Sequence, residues 1–286
     1  MTLLGGACDQ STLRRHVDAD GITRALEQGV LAEARRSRYV LTMSPATVHQ
    51  AAAVGGVLSH RSAAQHWGWA QRSVPVRPEV TVPRHVHVGA KARQHVLPHW
   101  VALDDSDVTG LVTTPQRTLV DCMQNLALTD SLPILDSALR AEDTSTEELV
   151  GWADGLLGRS RERARRAARL ASELAANPME STLRAVAMQV PGLSALPQHP
   201  VPVPGTDIVL HPDVADPVRR LAIECEGFEW HGESAALTRD CRRYNTLTLL
   251  GWTVVRFSWV LVMQDPTYVQ RTLVTAVRLD QARAAS

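Results

Sequence analysis

The sequence predicts an α/β protein of several domains: an N-terminal winged helix-turn-helix, an α+β middle region, and a C-terminal mixed sheet flanked by helices. Three observations carry this. Two short helical patterns precede a basic hairpin pattern near the N-terminus. Strand-like and helical segments then alternate through the middle. A strand–loop–helix–strand–helix order closes the chain. At 286 residues the length suits two or three domains of ~100–150 residues each.

The first segment runs to about residue 42. STLRRHV and GITRALEQG read as helices joined by a DADG turn, with Leu13, Val17, Ile22, Leu26 and Val30 spaced to form one small core. VLAEARRSRYVL reads as a hairpin around Arg35, Arg36 and Arg38. Two helices followed by a basic hairpin is the order of a winged helix, a module that docks one helix in the major groove and sets a charged wing on phosphate. On this reading the three arginines are DNA-binding residues. A small helical domain with a solvated loop is the other reading.

Residues 43–153 are expected to form one α+β domain. LSHRSAAQHWG reads as a short helix, and PEVTVP and HVLPHWVAL as strands. TTPQRTLVDCMQNL opens with Thr114 as cap and Pro115 at the first helical position. His85, His87, His95 and His99 show no fixed ligand spacing and read as scattered surface and strand histidines. Residues 154–177 are expected as an Arg-rich helical linker, either a solvated connector or a strut whose arginines meet phosphate. Residues 178–286 form the last domain.

Composition narrows the function. Thirty basic residues balance thirty acidic ones, so global charge does not argue for nucleic acid and local patches must. Lys91 is the only lysine. The scattered Cys8, Cys122, Cys225 and Cys241 fit neither a disulfide framework nor a zinc site, which favours a reducing cytoplasm. No signal-peptide pattern opens the chain, and no apolar run approaches the ~20 residues that span a bilayer. A soluble, cytoplasmic protein without membrane partners is expected.

The chemistry concentrates in the last domain. In LAIECE the two-residue period puts Leu221, Ile223 and Cys225 on one face and Ala222, Glu224 and Glu226 on the other. Two carboxylates side by side repel one another, so the pair needs a cation or an arginine. Asp213 lies upstream across a turn, HPDVADP, and is expected at the end of the preceding strand. Oxygen donors of this kind suit Mg²⁺ or Mn²⁺.

PDVADPVRRLAIECEGFEWHG followed by RDCRRYNTLTLLGWTVVRFSW resembles the DUF559 family of very-short-patch-repair-endonuclease type, within the PD-(D/E)xK nuclease superfamily. The likeness runs from about Met179 to Tyr268. It implies a restriction-endonuclease-like fold that hydrolyses DNA. By that resemblance Asp213 and Glu224 are the two motif acids that hold the metal, with the Cys225 carbonyl as a third ligand. Glu180 corresponds to the acid on the first core helix. Glu226 stands where many relatives carry lysine and this family usually has aspartate, and is expected to be catalytic, orienting the attacking water; His231 is the family's histidine, a general acid or base. Asp240 and Arg243 are its helix pair, with Arg243 among the DNA-binding residues. Local readings stand beside these: Glu180 as a capping acid, Glu226 as the partner of Arg243 or Arg256, and Asp240 with Arg243 as a surface ion pair.

The front half, through LSHRSAAQHWG, EVTVP and TTPQRTLVDC, resembles AbiEi-type antitoxin regulators, which bind promoter DNA. The expected function is therefore a metal-dependent DNA endonuclease. The alternative is a transcriptional regulator or antitoxin with an inactive nuclease fold. DNA is the expected partner, a homodimer is compatible, and the antitoxin reading adds a toxin partner.

Overall fold

A computed structural model describes residues 6–226 and 234–284. The chain divides into two compact units, residues 1–126 with 143–169, and residues 127–142 with 170–286. Both mix helices with mixed sheets.

The first unit opens with β1 (Ala7–Asp9), α1 (Gln10–Arg14), α2 (Ala19–Glu27), β2 (Leu31–Arg35) and β3 (Arg38–Leu41). The strands pair antiparallel in the order β1-β3-β2. Asp9 caps α1 by accepting from the Thr12 amide, and Asp18 caps α2 by accepting from the Gly21 amide. The DADG segment therefore begins the second helix instead of forming a separate turn. Leu13, Ile22, Leu31, Tyr39 and Cys8 fill the core. Val17 and Val30, expected in that core, are at the surface, because each lies just outside its helix where the helical period no longer applies.

Next come α3 (Ala46–Val54), β4 (Val57–Leu58), α4 (His60–His66), β5 (Glu79–Val82), α5 (Ala90–Arg93), β6 (Leu97–Trp100), β7 (Val108–Thr109), β8 (Val112–Thr113) and α6 (Pro115–Asn125). The five strands order β6-β5-β4-β8-β7 with both parallel and antiparallel pairs. Thr114 caps α6 and Pro115 is its first residue, as the sequence predicts. Helix α7 (Leu128–Arg140) belongs to the second unit; α8 (Thr146–Gly155) and all but the last residue of α9 (Arg161–Leu170) return to the first. The Arg-rich stretch is thus not one helix over 154–176. Gly158, at φ +87°, breaks it, and α9 buries Ala164, Ala167 and Ala168 while exposing Arg163, Arg166 and Arg169.

The second unit continues with α10 (Pro178–Ala187), β9 (Leu196–Pro197), β10 (Val201–Pro202), β11 (Val209–Leu210), β12 (Val214–Asp216), β13 (Leu221–Glu226), α11 (Ser234–Leu249), β14 (Thr253–Ser258), α12 (Trp259–Gln264) and α13 (Pro266–Ala284). Its main sheet runs β14-β13-β12-β9, with β13 parallel to β14 and antiparallel to β12. One sheet face packs Leu221, Ile223 and Phe257 on Met179, Leu183, Val262, Val269 and Leu273. On the other, Ala222 meets Leu247 of α11. The alternation read in LAIECE is present, but both faces are covered. No helix among the described residues is long and apolar enough to cross a membrane.

Candidate active site

Strand β13 carries the carboxylates to the end of the sheet. Ala222, Glu224 and Glu226 share the face toward α11, and that helix answers each in turn from Leu247, Arg243 and Tyr244. Glu224 is 2% exposed, and Arg243 Nη2 donates to both of its oxygens at 3.0 and 3.1 Å. The same guanidinium donates to the His211 carbonyl. Glu226 Oε1 accepts from Tyr244 OH at 2.6 Å and from Arg256 Nε and Nη2 at 2.8 and 2.7 Å. Of the two arginines the sequence offers Glu226, Arg256 takes it. No Asp240–Arg243 ion pair forms among the described residues.

Asp213 does not end the preceding strand. It immediately precedes β12, a strand inside the segment expected as a turn, since Val214 pairs with Ile223. Two prolines crowd three strand residues there, so the sequence pattern reads as a turn. Asp213 Oδ2 accepts from the Cys225 amide at 2.8 Å and from Cys225 Sγ at 3.2 Å. The third acid, Glu180, sits in the first turn of α10. Its carboxylate accepts from the Ala176 amide, Asn177 Nδ2 and Gln198 Nε2 at 2.8, 2.8 and 3.2 Å. It therefore does the work of a capping acid while standing close enough to Asp213 to feel its charge.

The electrostatics tie these acids together. Burial first, then the charge of Asp213, pushes the Glu224 carboxyl up to about 8 despite Arg243. Burial and Asp213 also raise Glu180 and the Cys225 thiol. Burial and the Glu226 hydrogen bond raise Tyr244. Burial opposes the charge on Arg256, but its bonds to Glu226 win and hold its pKa above the ordinary value. Asp213 is thus the common neighbour of Glu180 and Glu224.

The acids offer oxygen donors, the class that hard divalent cations take. The buried Glu224 already holds a stand-in cation, the Arg243 guanidinium. Lys91 lies in the other unit. His231 is outside the described residues.

Elsewhere, the only three His, Cys, Asp or Glu side chains whose ligand atoms converge within 4.8 Å among the described residues are His60, Glu79 and His99. Spacing alone does not reveal this group. The two rings stack with centroids 3.9 Å apart and 21° between planes. Glu79 is committed to Arg61, accepting from its amide, Nε and Nη2 at 2.8, 3.1 and 2.7 Å. At the N-terminal hairpin, Arg35 donates to the Val54 carbonyl and Arg38 to the Gly56 carbonyl, at 2.9 and 3.1 Å. Arg36 is exposed.

Comparison with known proteins gives the class in the same two parts. Residues 186–277 match the restriction-endonuclease-like family REase_MTES_1575, and residues 51–173 match the AbiEi antitoxin C-terminal domain. Both agree with the resemblances carried by the motifs. Among individual relatives, the chain is similar to two uncharacterized Mycobacterium tuberculosis proteins, MT2308 of strain CDC 1551 / Oshkosh and Rv2248 of strain H37Rv. Each is 29% identical over 221 residues, covering 74% of this chain and 73% of the relative. Among solved structures, the RV2827C protein of Mycobacterium tuberculosis matches at TM-score 0.32 and 16% identity, over 62% of this chain and 74% of that one.

Proposed function

We propose that the chain is a DNA-binding protein whose second unit is a metal-dependent endonuclease of PD-(D/E)xK type, acting on DNA phosphodiesters. One observation carries this: Asp213 and the buried Glu224 stand together at the end of a mixed sheet within the segment matching a restriction-endonuclease-like family. Asp213, Glu224 and the Cys225 carbonyl would hold Mg²⁺ or Mn²⁺. Such an ion, when bound, supplies a water of lowered pKa and offsets charge on the phosphate.

The chain's own residues do the positioning. The Cys225 amide fixes Asp213. Arg243 pairs with Glu224 and partly offsets the burial and the Asp213 charge that favour its protonated form. Glu180, held by Ala176, Asn177 and Gln198, closes the acidic side. His231 is the general acid or base of this reading, and the N-terminal winged helix docks the DNA, with Arg36 exposed in the hairpin turn.

The match over residues 51–173 supports a second reading, an AbiEi-type regulator with a toxin partner in which the nuclease fold only binds. Plasmid cleavage by the purified chain with Mg²⁺ or Mn²⁺ decides between them. The endonuclease reading expects nicking or linearisation that Asp213→Ala abolishes. A wild-type chain that binds DNA and never cuts it with either metal leaves the regulator.

A further inference from the structure

We propose that Arg256 is the phosphate-contacting cation of this site, and that Glu226 and Tyr244 are its positioning residues. The proposal rests on the reading of the second unit as a nuclease. It assigns to Glu226 the task of holding an arginine.

The geometry begins with the strand register. Arg256 on β14 pairs with Glu224 on β13 in parallel, and paired residues of neighbouring strands project from the same face, ~4.8 Å apart. Arg256 therefore stands beside Glu224 on the face that also carries Glu226. Its guanidinium is held from two directions. Nε and Nη2 both donate to Glu226 Oε1, and the guanidinium carbon lies 4.1 Å from the centre of the Tyr244 ring. The Tyr244 hydroxyl, bonded to that same oxygen, locks the ring in turn.

Stability does not call for this clamp. Arg256 is 46% exposed and Glu226 31%, and ion pairs at such exposure contribute little to folding. What it achieves is pre-organisation. A long side chain is confined to one orientation before any ligand arrives, with Nη1 making no hydrogen bond among the described residues. A planar guanidinium with an open edge is suited to a phosphate oxygen. The other arginine of the site is more tied down, since Arg243 Nη2 is shared among both Glu224 oxygens and the His211 carbonyl. The second unit holds no lysine, since the chain's single one, Lys91, belongs to the other unit.

The test uses the full-length chain and a short DNA duplex, followed by fluorescence anisotropy over a salt series in EDTA, with cleavage measured separately in Mg²⁺. Arg256→Ala is expected to weaken binding about tenfold and to flatten the plot of log affinity against log salt by about 0.9, the value for one lost phosphate contact. Arg256→Gln, which keeps a hydrogen-bonding side chain without charge, repeats the measurement should the alanine variant fold poorly. Arg278→Ala, removing an exposed arginine of α13, is expected to keep the wild-type slope. Tyr244→Phe, which loses only the lock, is expected to keep the slope and lower kcat more than it raises KM.

A folded Arg256→Ala or Arg256→Gln with the wild-type slope overturns the proposal. So does a slope that falls equally in Arg278→Ala. If the wild-type chain never cuts but Arg256→Ala flattens the slope, the nuclease reading fails and the phosphate contact stands.

Discussion

His60 shows how far a single side chain can be taken from its solution behaviour. It is 2% exposed, stacked on His99, and bonded through Nδ1 to Ser59 Oγ at 2.9 Å and through Nε2 to Asn125 at 3.2 Å. Burial, with His99, Arg117 and Arg61 adding their charge, pushes its pKa down to about 3. The folded state thus keeps His60 neutral where the unfolded chain takes up a proton. Its contribution is fully present above pH ~6.5 and is lost as pH falls toward 3, by at most ~1.4 kcal/mol per pH unit. Asp121, raised to about 6 by burial, works in the opposite sense over part of that window, so a difference measurement is needed. His60→Asn suits the left-handed backbone at φ +50° and removes the titration. The stability gap between wild type and variant, from urea titrations, is expected to shrink steadily from pH 6.5 to 4. A pH-independent gap would mean that His60 does not titrate differently on folding.

Among elements, the pair α7 and α10 holds Glu180 in place. Asp136 and Arg184 are 0% and 2% exposed, and Arg184 Nη2 bonds both carboxylate oxygens at 3.0 and 2.8 Å. The Ser172 amide at 2.8 Å and the Leu170 carbonyl at 2.6 Å satisfy further groups of the pair. Removing one partner strands a charge in the interior, so Arg184→Ala is expected to cost ~3–5 kcal/mol. Asp136→Leu with Arg184→Met removes both charges and is expected to cost far less. Chemical denaturation of the two variants checks this, and a double variant as damaged as the single one would refute the stranded-charge account. Glu226 behaves differently. Its pair with Arg256 is half in solvent, so Glu226→Gln is expected to melt within ~1 kcal/mol of wild type and yet to cleave poorly. A large stability loss there would make the pair structural.

At the scale of the molecule, two compact units carry different candidate chemistries, the acid cluster in one and the His60–Glu79–His99 group in the other. A ligand that binds only the folded form raises stability by ~2.7 kcal/mol at one hundred times its Kd. Mg²⁺ or Mn²⁺ is therefore expected to raise the melting temperature of the second unit alone, and Asp213→Ala to remove that shift. Differential scanning calorimetry resolves the two units if they melt separately. A shift that persists in Asp213→Ala would place the metal elsewhere.

Much of the molecule is legible in its amino-acid sequence. The Thr114–Pro115 helix start, the hairpin of residues 31–41 and the two-faced LAIECE strand follow from local chemistry, which acts over a few neighbouring residues. The shared face of Glu224 and Glu226 is legible for the same reason. What local pattern does not supply is partnership. Tyr244 gives no signal, because a tyrosine within a charged helix looks like surface until strand register brings it to Glu226. Arg35 and Arg38 have the pattern of wing cations, yet they bond the Val54 and Gly56 carbonyls. His99 has the pattern of a scattered histidine, yet β6 pairs it with Thr81, near Glu79, and the chain folds it onto His60. The sequence alone determined which residues can ionise, coordinate or cap, since those are properties of side chains and their near neighbours. Only the tertiary structure decided which carboxylate each arginine neutralises, because burial and strand register between distant segments select the pairs that electrostatics then stabilises.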